Sequence, residues 1–179
     1  VNRDYIFCVG RIEPRKNQLS VIKAVEKFRK ESNEDAKLVF VGKKNALTHP
    51  EYTLRFNYML KKHPWITYVE RVPYKDMPSY YSHSKVCVSA SWFETTGLTL
   101  LEVLFCGANA VASSPRAKEI LGKYASYCKP WDIDSIKEAI GEQFYANRPK
   151  LDVDMRQEYT WENAAKKTYR VYEELLEKK

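Results

Sequence analysis

Apolar residues in this chain come in short continuous runs, and longer stretches with helical spacing lie between them. The runs are YIFCVG (5–10), KLVFVG (37–42), ITYVERV (66–72), KVCVSA (85–90), ANAVAS (108–113) and ASYCK (125–129). Several are continuous where a half-exposed strand would alternate, which is the pattern of a parallel sheet covered on both faces. The intervening pattern predicts helices. LSVIKAVEKFRKE (19–31) sets Val21, Ile22, Val25 and Phe28 on one stripe. EYTLRFNYMLKKH (51–63) follows Pro50, a residue suited to a first helical turn. MPSYYSHS (77–84) is a short helix. GLTLLEVLFCG (97–107) is apolar nearly all round, so it is expected to be buried. SIKEAIGEQFYA (135–146) is amphipathic, and WENAAKKTYRVYEELLEKK (161–179) is a long helix that Thr160 can cap. The polar stretch 147–160 reads as a connector.

Strand and helix alternating in this way predict a doubly wound, Rossmann-like α/β domain over residues 1–179, with a parallel sheet of about six strands and helices on both faces. Such sheets bind ligands beyond the carboxyl ends of their strands. The loops after residues 10, 42, 72, 90 and 113 are therefore where chemistry is expected.

Composition narrows the class. The 179 residues are 44% hydrophobic and 30% charged, enough for a core of ordinary size, and no run reaches the ~18 apolar residues of a membrane span. The formal charge is +7, which favours anionic partners, but the basic residues are dispersed and nucleic acid is not expected. Cys8, Cys87, Cys106 and Cys128 form no CxxC pair and sit in apolar segments, as core thiols of a reducing, cytoplasmic compartment would. His49, His63 and His83 have no metal spacing, and Asp152 and Asp154 lie in the polar connector, so no metal is expected. The start shows no secretory pattern, lacks an initiating Met and enters a strand run at once, which suggests a longer parent chain.

Three loops carry candidate chemistry. In VGRIEPRKNQ (9–18), Gly10 ends a strand, Arg11 follows, and Lys16 precedes a helix. Cations in those two places can converge on a diphosphate, or the loop can simply be a solvated basic turn. In SASWFETTGLTLLEVLFCG (89–107), Gly97 opens the apolar helix, where first-turn N–H groups face the space above the sheet. Glu94 lies in the loop before it. Glu102 lies inside the helix on the face of Leu98, so that both carboxylates can look toward one crevice. An apolar setting disfavours a carboxylate unless it is hydrogen-bonded. Glu102 can serve a sugar diol; it can equally pair with a core cation or cap a backbone group. Trp92 and Phe93 either wall a sugar pocket or pack beneath the loop. In ERVPYKDMPSYY (70–81), Val72 and Pro73 open a loop able to present backbone groups to a planar base.

The order of these motifs, G-R-x(4)-K, then V-P-x(3)-M-P-x-Y-Y, then S-x-x-E-x-x-G-L-x-x-L-E, resembles the C-terminal, donor-binding domain of retaining GT-B glycosyltransferases over nearly the whole chain. The glutamates match that class's E-x(7)-E spacing. The resemblance implies that Arg11 and Lys16 hold the donor diphosphate and that Gly10 is among the donor-binding residues. It implies that N–H groups near Gly97, Leu98 and Thr99 bind phosphate oxygens, that Glu94 contacts the transferred sugar, that Glu102 binds the ribose diol, and that Val72 touches the base. The implied function is transfer of a hexose, mannose or glucose, from a UDP- or GDP-linked donor to an acceptor hydroxyl. No cofactor is needed, because cations and helix N–H groups meet the charge on the leaving diphosphate. The alternative is a non-catalytic nucleotide- or phosphate-binding module whose partner supplies the acceptor site. A flavodoxin-like signalling domain is disfavoured by the net basic loop at 10–18.

The resemblance also implies a missing N-terminal acceptor domain or a separate acceptor subunit, and hence an isolated domain with little or no turnover. A lipid-linked acceptor would bring the domain to the cytoplasmic face of a membrane as a peripheral contact. The sequence departs from the class at Thr95-Thr96-Gly97, where glycine-aromatic-glycine is usual, at Arg71, and at Arg116-Ala117 ahead of Glu119. The β-branched Thr95 stiffens its loop and brings a hydroxyl to the sugar side. These positions bear on donor sugar and base more than on reaction class.

Overall fold

A computed structural model describes residues 5–94, 97–113 and 115–177. Each apolar run contributes a strand: β1 (Tyr5–Val9), β2 (Lys37–Val41), β3 (Ile66–Val69), β4 (Ser84–Ser89), β5 (Asn109–Ala112) and β6 (Ala125–Tyr127). They form one parallel sheet in the order β3-β2-β1-β4-β5-β6. The chain runs outward from β1 to β3, then crosses to the other side for β4. The carboxyl ends of β1 and β4 are therefore the switch point of a doubly wound sheet.

The helices are α1 (Gln18–Ser32), α2 (Pro50–Lys62), α3 (Met77–His83), α4 (Leu98–Phe105), α5 (Pro115–Leu121), α6 (Ile133–Tyr145), α7 (Val153–Glu158) and α8 (Trp161–Glu177). The expected stripe of α1, Val21, Ile22, Val25 and Phe28, is buried, and α1 packs against α6, whose Ile136, Ala139, Ile140 and Phe144 are also buried. Phe28 and Phe144 meet edge to face at 5.1 Å. Asp132 starts α6 by accepting from the N–H groups of Asp134 and Ser135, so two first-turn donors are satisfied.

Three expectations change. α4 buries Leu100, Leu101, Val103 and Leu104, but Leu98 and Phe105 are exposed, because with Glu102 they share the face of the helix turned away from the core. The stretch 147–160 contains α7, which Asp152 opens by accepting from the Met155 N–H at 2.9 Å. Helix α5, begun by Pro115, was not expected. Cys8, Cys87 and Cys128 are buried free thiols, and burial pushes Cys8 up to about 12.

Residues 1–149 and 150–179 form two compact units. The first holds the sheet and the core from Ile6 to Phe144. In the second, α7 and α8 contact each other, and Thr160 Oγ1 accepts from the Asn163 N–H at 3.1 Å, the predicted cap.

Candidate functional site at the β1–β4 switch point

The loop after β1 is held by backbone pairing and buried polar groups. Ile12 forms a parallel bridge with Lys44, which continues the β1–β2 ladder into the loops. Gly42 makes this approach possible: a Cβ there would lie 2.1 Å from the Gly10 carbonyl oxygen. Gly10 has φ +141°, and the Lys16 side chain lies over the space a Cβ would fill. Asn17, in the left-handed conformation between a 3₁₀ turn (Pro14–Lys16) and α1, is buried and donates to the carbonyls of Ala90 and Pro130. Gln18 donates to the Arg11 carbonyl at 2.8 Å. The loop is thereby tied to the segment after β4.

That segment brings up the carboxylate. Lys16 Nζ donates to Glu94 Oε2 at 2.5 Å, with both side chains about four-fifths covered. Arg15 adds a guanidinium nitrogen 4.0 Å from the same oxygen, and it donates to the Phe93 carbonyl at 3.0 Å. Ser91 Oγ donates to Glu94 Oε2 at 3.5 Å. Gly97, at φ +62°, turns the chain into α4. The first-turn N–H groups of Leu98 and Thr99 have no intrahelical acceptor. Among the described residues no side chain caps this end and its first turn carries no acid. Lys16, Glu94, Gly97, Leu98 and Thr99 surround a cavity of about 160 Å³ with Val9 and Ser89, the ends of β1 and β4, below.

Four of the predicted residues, Gly10, Arg11, Val72 and Glu102, do not line this cavity. Arg11 is exposed and pairs with Glu13 at 3.5 Å. Val72 is half-buried in the loop after β3. Glu102, half-buried in α4, accepts from two phenols, Tyr81 at 2.9 Å on Oε2 and Tyr74 at 3.3 Å on Oε1. Those donors belong to α3 and the turn before it, and Glu102 is not among the residues that line the cavity beside Glu94. Burial first, and then the Glu102 charge, raises the Tyr81 pKa; the Glu102 charge raises that of Tyr74. Both remain hydroxyl donors across the physiological range.

Trp92 and Phe93 are exposed and not packed under the loop; Trp92 stacks on Trp131 at 6.5 Å between ring centroids. Thr95 and Thr96 lie outside the described residues. Arg116 is exposed and Ala117 buried in α5. Among the described residues no group of His, Cys, Asp or Glu side chains is arranged to hold a metal.

Sequence reasoning passed over Glu13, which is only 5% exposed yet accepts from Arg15 and Asn45 and faces Arg11. Its signal was a lone acid in a net basic loop. It also passed over Tyr74 and Tyr81, whose partner lies more than twenty residues further along the chain.

The profile of the family described as "Glycosyl transferases group 1" matches residues 1–164. The chain belongs to that family. O-antigen chain mannosyltransferase B of Escherichia coli is 25% identical over 174 residues, covering 94% of this chain and 45% of that protein. An uncharacterized glycosyltransferase of Methanocaldococcus jannaschii is 27% identical over 183 residues, covering 96% and 45%. This group 1 chain thus spans about half the length of the curated relatives it matches. Among solved structures, sucrose-phosphate synthase from Thermosynechococcus elongatus superposes with a TM-score of 0.79 at 21% identity, covering 98% of this chain and 46% of that one. Anabaena HepE in complex with UDP and glucose superposes with a TM-score of 0.70 at 16% identity, covering 80% and 39%. These likenesses establish the shared GT-B fold of the group 1 domain.

Proposed function

We propose that this chain is the donor-binding half of a retaining hexosyltransferase and that the cavity at the β1–β4 switch point receives the diphosphate and sugar of a nucleotide-diphosphate sugar. The observation that carries this reading is the meeting of Lys16 and Glu94 over the N-terminus of α4, which no side chain among the described residues caps. A cation and free N–H groups suit phosphate oxygens. A carboxylate beside them suits sugar hydroxyls. Lys16 and Glu94 hold each other at 2.5 Å, and a donor gives each a further partner, phosphate for Lys16 and hydroxyls for Glu94.

In the reaction, the bond between the anomeric carbon and the diphosphate oxygen breaks, and a bond from that carbon to the acceptor oxygen forms. The acceptor's hydroxyl proton passes to the leaving diphosphate or to water, and configuration is retained. Negative charge grows on the leaving diphosphate, where Lys16, Arg11 and the N–H groups of Leu98 and Thr99 offset it. Glu102 takes the ribose diol and Val72 faces the base. The nucleotide is UDP or GDP, and mannose is the sugar favoured by the resemblance to a mannosyltransferase. The acceptor site belongs to the remainder of a longer protein or to a partner, so this chain alone binds donor and turns over little.

The test is a thermal-shift panel of UDP, GDP, ADP, their monophosphates and their sugar conjugates, on the chain and on Lys16→Met. A ligand at 100 times its dissociation constant adds about 2.7 kcal/mol, which is roughly 5–10 °C for a chain of this size. One diphosphate is expected to raise the midpoint, its monophosphate to do so much less, and Lys16→Met to erase the difference. Equal shifts with mono- and diphosphate, or shifts indifferent to Lys16→Met, would overturn the assignment.

A further inference from the structure

The carboxylate of Glu102 is held by two phenols of opposite character. Tyr81 lies on α3, is 4% exposed, and sets its ring edge-on against Phe7 at 5.8 Å. Its hydroxyl reaches Oε2 at 2.9 Å. Tyr74 sits in the 3₁₀ turn Tyr74–Asp76, is 78% exposed, and reaches Oε1 at 3.3 Å. The buried bond has its geometry set by packing. The exposed one is long and competes with water, so it is easily exchanged.

A carboxylate offers about four acceptor positions over its two oxygens. Tyr81 and Tyr74 take one each, and two remain, enough by number for both hydroxyls of a vicinal diol; Tyr74, exposed and weakly held, is the donor a diol hydroxyl can replace. We propose that Tyr81 is a positioning residue that orients Glu102 for the ribose diol, and that Tyr74 is a stand-in donor that occupies Oε1 until the diol displaces it. The inference rests on the reading of Glu102 as the diol acceptor and names the residues that prepare it. It also gives the V-P-x(3)-M-P-x-Y-Y stretch a role: the turn supplies Tyr74 and the helix after it supplies Tyr81, to opposite oxygens of one carboxylate.

A purely structural role for Tyr81, pinning α3 to α4, would change stability but not ligand preference. Titration calorimetry with UDP, GDP and their 2′-deoxy counterparts separates the two. The unsubstituted chain is expected to bind the ribonucleotide more tightly than the deoxynucleotide. Tyr81→Phe keeps the ring on Phe7 and is expected to cut that preference about fivefold, the net scale of one ordinary hydrogen bond. Tyr74→Phe frees Oε1 and is expected to tighten ribonucleotide binding about two- to threefold, leaving the deoxynucleotide unchanged. An unchanged ribose preference in Tyr81→Phe overturns the inference, whatever its stability. If Tyr81→Phe fails to fold, Tyr74→Phe, altered only at an exposed hydroxyl, decides: weakened or unchanged ribonucleotide binding overturns it. Equal affinity of the unsubstituted chain for ribo- and deoxynucleotide overturns the diol role of Glu102 itself, a distinct failure of the parent reading.

Discussion

His63 ends α2 with its side chain 5% exposed, and its Nε2 has no hydrogen-bond partner among the described residues. Burial holds its pKa below the usual 6.5, and Lys62 and Lys30 push the same way against Glu26. The folded state therefore binds this proton less readily than the unfolded chain. As pH falls below 6.5 toward the depressed folded value, the unfolded state takes up a proton that the folded state refuses, and stability is lost. Above 6.5 both states are neutral and the effect is absent. Urea unfolding of the chain and of His63→Leu at pH 5.5 and 7.5 is expected to show the larger acid loss in the unsubstituted chain, by up to about 1.4 kcal/mol per pH unit for one proton. His49 and His83 are present in both proteins and cancel. Equal acid losses would sink the assignment. At the same scale, Glu13→Gln removes the charge that gathers Arg11 and Arg15. Because both arginines reach solvent, the stability cost is expected to be about 1 kcal/mol or less, while nucleotide-diphosphate affinity falls because Arg11 loses its orientation. A calorimetric titration alongside the urea curve separates the two effects. The site was legible where a residue type announces its chemistry at a strand end or a helix start, as with Lys16, Glu94 and Gly97. Glu13, Asn17 and Tyr81 were not, because each acts through a partner that only the folded chain brings near.

At the scale of elements, the site depends on the close crossing of the loops after β1 and β2. Gly42 has φ +147°, and a Cβ on it would meet the Gly10 carbonyl carbon at 2.6 Å and its oxygen at 2.1 Å, both backbone atoms with no rotamer to change. Gly42→Ala is expected to cost roughly 3–5 kcal/mol, read by urea denaturation, because backbone strain adds to a clash. It is also expected to loosen the Lys16–Glu94 pair by shifting the loop that carries Lys16. A loss under about 1 kcal/mol would show that the crossing is softer than its geometry implies. Asp132→Ala removes the cap of α6 and is expected to cost about 1 kcal/mol, without effect on nucleotide binding, since α6 supplies no residue to the cavity. The six strands and the long helices were legible because continuous apolar runs and 3.6-residue stripes each have one physical solution in a covered parallel sheet. Helices α5 and α7, seven and six residues long, were missed, although α3, also seven, was read. Asp152, which the sequence places in a polar connector, caps α7 by accepting from the Met155 N–H.

For the whole molecule, the question is which part of the chain folds as a unit. Every member of the buried apolar cluster lies between Ile6 and Phe144, and all six strands precede residue 128. The 30 residues from Lys150 onward form a separate compact unit of two helices. A helix pair of this size carries little core of its own, whereas a sheet covered by helices on both faces has what independent folding needs. The residues proposed to bind the donor, from Gly10 to Glu102, all lie in the first unit. A chain ended after Pro149 is therefore expected to unfold in a single cooperative transition, with a denaturant slope lowered only in proportion to the surface removed. It is also expected to keep the diphosphate-dependent thermal shift. Retained cooperativity with a lost shift would mean that the last two helices shape the donor site from outside it. Loss of cooperative unfolding would mean that the sheet unit is incomplete without them. In the expected case the first unit carries the proposed donor site without help from the second.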